Sequence, residues 1–338
     1  MSKIDFNQLI ALKGRSFFEC ASFVLQKLLG QSQTVQAKCE RIYFDCEPDI
    51  LQLDDNLFLV DLTNFKSGSF HDYAVAFFME QKQLHSDTMY SMCPDITASL
   101  SLYDSASCRY ICTDFIVSQL RRLQLLTADN VQSICVNDSS FDDVEFSLKE
   151  TGIKLVENSR DFMFAHCVWI LYTVVQLIET KFDTVNFFIP FYSTICKQSF
   201  DIAKNLGLPI KAIVSEQVLY DSMDSCIESF YDEYGYVPAP ECAMSFAQCK
   251  NSLQNMQSRD NAFFVVLSTQ SAFKYTETVL SALGKIASQN ALKNLKLLSN
   301  MTAMEIPNVF LTVANKTPKS MTQIDRHNLC NLLSELNL

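Results

Sequence analysis

The chain has 338 residues, of which 48% are hydrophobic and 19% charged, enough to bury a substantial core in one two-lobed unit or two ordinary domains. A net charge of −11 excludes a general nucleic-acid surface, and no stretch reads as low-complexity or disordered. There are only seven glycines, where average usage near ~7% would place roughly 24. Backbones that wrap a phosphate need glycine for close approach, so no glycine-rich nucleotide or cofactor loop is present.

Phe17, Cys20, Phe23, Val24 and Leu28 recur at helical spacing, and the segment from Phe6 to Cys39 reads as helices. Asp54-Asp55-Asn56 is a turn signal, followed by a short strand over Leu57 to Leu62 and a helix over Phe70 to Gln83. Asn130 to Val136 reads as a strand, and Ser140 to Thr151 as a helix closed by Gly152. A long apolar helix covers Arg160 to Lys181. Its most apolar part, Phe162 to Ile178, contains His166 and is hardly long enough for a bilayer, so it reads as buried and no membrane span is expected. Val185 to Ile189 is a buried strand, Ser193 to Leu206 a helix closed by Gly207, and Leu208 to Val214 the next strand. Ala262 to Leu267 is another strand, before a helix over Thr276 to Leu283. Strand-then-helix repetition predicts an α/β fold with mostly parallel sheets and helices on both faces.

Met1 to Gly14 has no charged-then-apolar design, so no secretory signal is read. Thirteen cysteines are scattered without a C-x-x-C pair, and the four histidines (His71, His85, His166, His327) offer no metal-ligand spacing. No metal is expected. The thiols read as reduced and structural, which favours an intracellular, reducing compartment, the cytoplasm first.

Several segments, in order, resemble threonine synthase, a pyridoxal-phosphate enzyme of fold type II. They begin at Leu53-Asp54-Asp55-Asn56-Leu57-Phe58-Leu59-Val60. Thr127 to Asp143 is similar to the family's segment ending in F-D-D, and Asn158-Ser159 to the start of its N-S-I-N motif. Val185 to Ile210 resembles the strand–loop–helix–strand piece ending in G-L-P-I. Tyr234 to Ala243 resembles G-Y-x-x-x-P-H-x-A, and Val265 to Gly284 resembles V-x-L-A-T-A-H-P-A-K-F…A-L-G, with Lys274 kept. The resemblance implies a tryptophan-synthase-β-like architecture of two interleaved lobes with a reduced small lobe. Residues 1–65 would form an N-terminal region, 66–160 the small lobe and 161–338 the large lobe.

The departures fall on the chemistry that the resemblance implies. The family's Phe-Lys-Asp triplet, whose lysine forms the Schiff base, is here Phe70-His71-Asp72, and an imidazole forms no stable aldimine. Lys66 lies five residues earlier, and Lys274 stands where the family's lysine is not the Schiff base. The phosphate-holding G-N-F-G-N loop is replaced by Tyr192-Ser193-Thr194-Ile195-Cys196, in which Ser193 and Thr194 suit a plain helix N-cap. Two stretches could stand for the S-G-D-T-G loop, Ser86-Asp87-Thr88 and Tyr103-Asp104-Ser105, both without its glycines. Ser271 and Glu241 replace two family histidines.

These losses predict a degenerate member without cofactor or catalysis, acting as a scaffold or regulatory subunit through another protein. The alternatives are a divergent threonine synthase, a pyridoxal-phosphate lyase converting O-phosphohomoserine to threonine, or a small-molecule sensor in the old cleft. A cofactor-free activity around His71, Asp72 and Ser193 is a further enzyme reading.

Overall fold

The computed structural model describes residues 3–30, 33–81, 88–103, 107–113, 117–189, 194–214, 223–255, 261–329 and 331–332. Three helices open it: α1 (Phe6–Leu12), α2 (Phe17–Leu29) and α3 (Gln33–Tyr43). Asp5 and Ser16 cap the first two with reciprocal capping boxes to Gln8 and Glu19, which satisfies donors the helices leave open. Buried Phe17 meets Tyr43, Tyr73 and Tyr172 edge-on, at ring separations of 5.3, 5.5 and 5.2 Å.

The Asp54-Asp55-Asn56 turn joins two strands. Ahead of the expected strand, β2 (Leu57–Asp61), runs an antiparallel edge strand, β1 (Asp49–Asp54), whose polar, exposed pattern gave no strand signal. A helix, α4 (His71–Gln81), follows, then β3 (Thr88–Ser91), α5 (Pro94–Leu100), β4 (Ser107–Cys112), α6 (Gln119–Leu126) and β5 (Val131–Asn137). Next come α7 (Phe141–Glu150), α8 (Arg160–Leu177), β6 (Thr184–Ile189), α9 (Thr194–Asn205) and β7 (Ile210–Val214). The chain continues through α10 (Met223–Tyr234), α11 (Pro240–Gln254), β8 (Ala262–Ser268), a 3-10 turn over Ala272–Tyr275 and α12 (Thr276–Ala282). It closes with α13 (Ala291–Thr302), α14 (Asn308–Ala314) and β9 (Thr322–Asp325).

Two sheets result. One has the order β1-β2-β8-β6-β7, parallel except for its first pair; the other, β3-β4-β5-β9, is parallel throughout. This is the α/β, fold type II architecture expected. The four-residue strands β3 and β9 are too short to carry a periodic signal, and pairing with long neighbours creates them.

The long apolar helix ends at Leu177 rather than Lys181, because Asp183 accepts the N–H groups of Glu179 and Thr180 and closes a turn there. Helix α8 is buried on every side against α2, α4 and α9, as a helix apolar all round must be. No helix among the described residues is long and apolar enough to cross a membrane. The described cysteines form no disulfide and are mostly buried, and no group of three or more metal-ligating side chains occurs among the described residues.

Candidate active site

Four segments leave the carboxyl ends of parallel strands and meet: His71 follows β2, Cys93 and Asp95 follow β3, Arg121 follows β4, and Lys274 follows β8. Ligands of open α/β sheets collect at this edge. Position 71 is held by local structure. Asp72 accepts from Ser67 N (2.6 Å), Ser67 Oγ (2.6 Å) and Ser69 N (3.3 Å), which shapes the loop ahead of α4. Gly68 at φ +73° completes that loop, where a Cβ would stand 2.7 Å from the Phe310 ring. Backbone bonds from Phe70 N to Thr269 O and from Ser271 N to Gly68 O, both 2.9 Å, tie it to the segment carrying Lys274. Asp72 therefore builds the scaffold of the site and is committed to it.

One half of the cluster is neutral. His71 is 5% exposed; its Nδ1 lies 3.3 Å from His166 Nε2, and its Nε2 3.8 Å from Cys93 Sγ. His166, fully buried on α8, accepts at Nδ1 from Trp169 Nε1–H at 3.3 Å. Burial pushes His71 down to about 3, with Lys274 and Arg121 acting in the same sense and Asp95 against it. Burial also takes His166 well below its ordinary range and raises the Cys93 thiol to about 12.

The other half is ionic. Asp95 meets Lys274 Nζ with Oδ1 at 2.9 Å and Arg121 Nη2 with Oδ2 at 2.6 Å. Burial alone would raise the Asp95 carboxyl, but the two cations hold it well below the usual carboxylate range. Lys274 also donates to Gln270 Oε1 at 3.0 Å, and Gln270 donates to Ser69 Oγ at 2.9 Å, so the two halves share one frame. The Arg121 guanidinium lies 5.3 Å over the Tyr275 ring, and Tyr275 donates its hydroxyl to Glu241. Burial raises the Glu241 carboxyl. Arg121 Nε and Glu241 Oε2 are both buried without a hydrogen-bond partner.

Among the residues singled out from sequence, the structure brings His71 and Lys274 to one cluster, with Glu241 at its edge. Lys66 is exposed, its amine 4.1 Å over the Tyr103 ring. Tyr192 and Ser193 lie outside the described residues, as do Ser86, Asp87, Asp104 and Ser105. Thr194 opens α9, Ile195 packs on the core and Cys196 is fully buried. The loop facing His71 is Cys93-Pro94-Asp95, with proline at the first turn of α5 as a legible helix start. Arg121 and His166 carried no motif, and His166 read only as part of a buried helix.

Together these elements define a fold type II α/β protein with a buried polar cluster at the carboxyl ends of its strands. Neither a family model nor a curated protein matches the sequence. Among solved structures, threonine synthase from Escherichia coli matches with a TM-score of 0.79 at 11% identity, over 99% of this chain and 92% of that one. A pyridoxal-phosphate-bound threonine synthase from Brucella melitensis gives 0.73 at 15%, and threonine synthase from yeast 0.71 at 13%, each over 99% of this chain and 91% of the other. The chain thus has the threonine synthase fold along essentially its whole length.

The matches overturn the expectation of a chain that is not an enzyme. The fold they share is that of enzymes and is kept end to end, with the cleft segments included. The substitutions at 71 and 192–196 stand within a fold that is otherwise kept. The ionic group beside His71 comes from segments no motif joined.

Proposed function

We propose that the chain is an enzyme, a divergent relative of threonine synthase in its chemistry, acting on a small anionic substrate such as a carboxylate or phosphate ester in this cleft. The buried Lys274–Asp95–Arg121 group, with its unpartnered Arg121 Nε–H, carries the reading. Taking each ion out of water costs several kcal/mol, and apolar replacements of such groups are often neutral or stabilising, so they are weak devices for holding a fold. They are common where charge must be recognised. Two cations against one aspartate leave a net positive charge for an anion.

Pyridoxal phosphate, present in the Brucella neighbour, is the cofactor this fold implies. The residues here do not fit it as a Schiff base at position 71: that position is an imidazole engaged with His166, and Lys274, the amine in the cleft, is taken by Asp95 and Gln270. The chemistry then rests on the chain's own groups. Arg121 Nε–H and the third N–H of Lys274, left over by Asp95 and Gln270, hold the anion, His71 orients it, and Glu241, whose carboxyl burial raises, supplies the proton to the leaving oxygen.

The test incubates purified protein with O-phosphohomoserine, with and without added pyridoxal phosphate, and follows phosphate release and binding heat. Phosphate release without cofactor supports the reading. Release only with cofactor, together with a borohydride-fixed lysine adduct, keeps the enzyme and overturns its independence of the cofactor. Binding without turnover makes the cleft a sensor, and neither binding nor turnover removes the proposal.

A further inference from the structure

The hydrogen-bond chain behind His71 has a direction. An indole N–H donates and has no lone pair with which to accept, so Trp169 fixes His166 Nδ1 as an acceptor at 3.3 Å. Neutral His166 then carries its proton on Nε2. That N–H faces His71 Nδ1 at 3.3 Å, so Nδ1 accepts in turn and the neutral His71 ring carries its proton on Nε2. Nε2 is the atom that faces Cys93 Sγ at 3.8 Å, and sulfur is a weak acceptor.

We propose that Trp169 and His166 lock His71 in its Nε2–H tautomer, so that at the head of α4, where the resemblance puts a lysine, the cleft presents a neutral hydrogen-bond donor for a substrate oxygen. The inference rests on the anion-cleft reading above and adds the residue that orients the guest. His71 touches the substrate; Trp169 and His166 are positioning residues that act through it. The groups facing His71 are Asp95 from α5, Arg121 from α6, His166 from α8, Lys274 from the 3-10 turn and Cys93. Asp95 favours a charged imidazole, the two cations oppose it, and burial decides for the neutral ring. The donor keeps its proton across the physiological range, and His71 is not a base for Cys93: its Nε2 lone pair is already occupied.

The proposal is tested on the full-length, 15N-labelled protein by long-range 1H–15N correlation of the histidine rings between pH 5 and pH 8. The expected spectrum shows His71 protonated on Nε2 and bare on Nδ1 throughout, with no titration. Trp169→Phe should release the lock and give a mixture of tautomers, and His166→Gln, which keeps an N–H donor, should preserve the Nε2–H form. An Nδ1–H tautomer or an imidazolium in the unaltered protein overturns the proposal, and so does a folded Trp169→Phe protein with an unchanged His71. If that variant does not fold, the unaltered protein's spectrum decides alone. Acetate serves as the probe anion and should shift the His71 Nε2–H resonance, with loss of the shift in Lys274→Met. A correct tautomer with no response to acetate leaves the lock standing and overturns the anion-cleft reading.

Discussion

The two halves of the cleft are equally buried and have opposite electrostatic fates. Around His71, His166 and Cys93, desolvation acts on groups whose close partners are neutral, and every group is pushed to its uncharged form. Asp95, a few residues from Cys93, faces two cations within 3 Å and stays charged. Burial alone does not set the charge of a site; the identity of the first neighbour does.

The sharpest way to break the contrast is Asp95→Asn. It strands Arg121 and Lys274 as unpaired buried cations, and the expected loss is about 3–5 kcal/mol by urea unfolding. Because the Asp95 pKa is depressed in the fold, its contribution is complete above the unfolded value of about 3.9 and is lost only as pH falls below it. Neutral conditions therefore do not mask the effect.

The neutral half responds in another window. His71 and His166 have folded pKa values below the unfolded value of about 6.5, so the unfolded chain binds more protons as pH falls and stability drops with it. Between pH 7 and pH 5 each should cost about 2 kcal/mol. Replacing His71 by Asn should remove about half of that slope in urea midpoints.

His71→Lys would import a charge into the neutral half, close to Lys274 and Arg121. A destabilisation of about 1–3 kcal/mol is expected, together with a depressed lysine pKa. Added pyridoxal phosphate should give no stable aldimine band, since the lysine alone restores none of the phosphate contacts. A borohydride-fixed adduct at position 71 at micromolar cofactor would sink that expectation. The smallest effect belongs to a solvated pair: Lys149, 3.0 Å from Glu145 on α7, should change stability by about 0.5 kcal/mol or less when replaced by Ala.

Much of the frame was legible from residue order. Strands such as Val185 to Ile189 are apolar runs long enough to declare themselves, and α8 could only be a buried helix. The capping residue of α7, Ser140, sits where Ser-x-x-Asp announces a helix start. The edge strand β1 and the short β3 and β9 were hidden, since pairing rather than composition makes them strands. In the site, His71 was found because a lysine was expected there. Asp95 and Arg121 were not, because they stand 26 residues apart in sequence and meet only through the packing of α5 on α6.

By itself the sequence determined the α/β order, the buried helix, the poverty of glycine and the imidazole in place of an amine at position 71. These follow from local spacing and side-chain chemistry, which a linear chain displays. Tertiary structure alone decided that this imidazole is neutral, that it is backed by His166 and Trp169 from a helix about 95 residues away, and that Lys274 is joined to Asp95. Protonation and pairing depend on the solvent removed and the charge brought near, and both are set only when the strands' carboxyl ends converge.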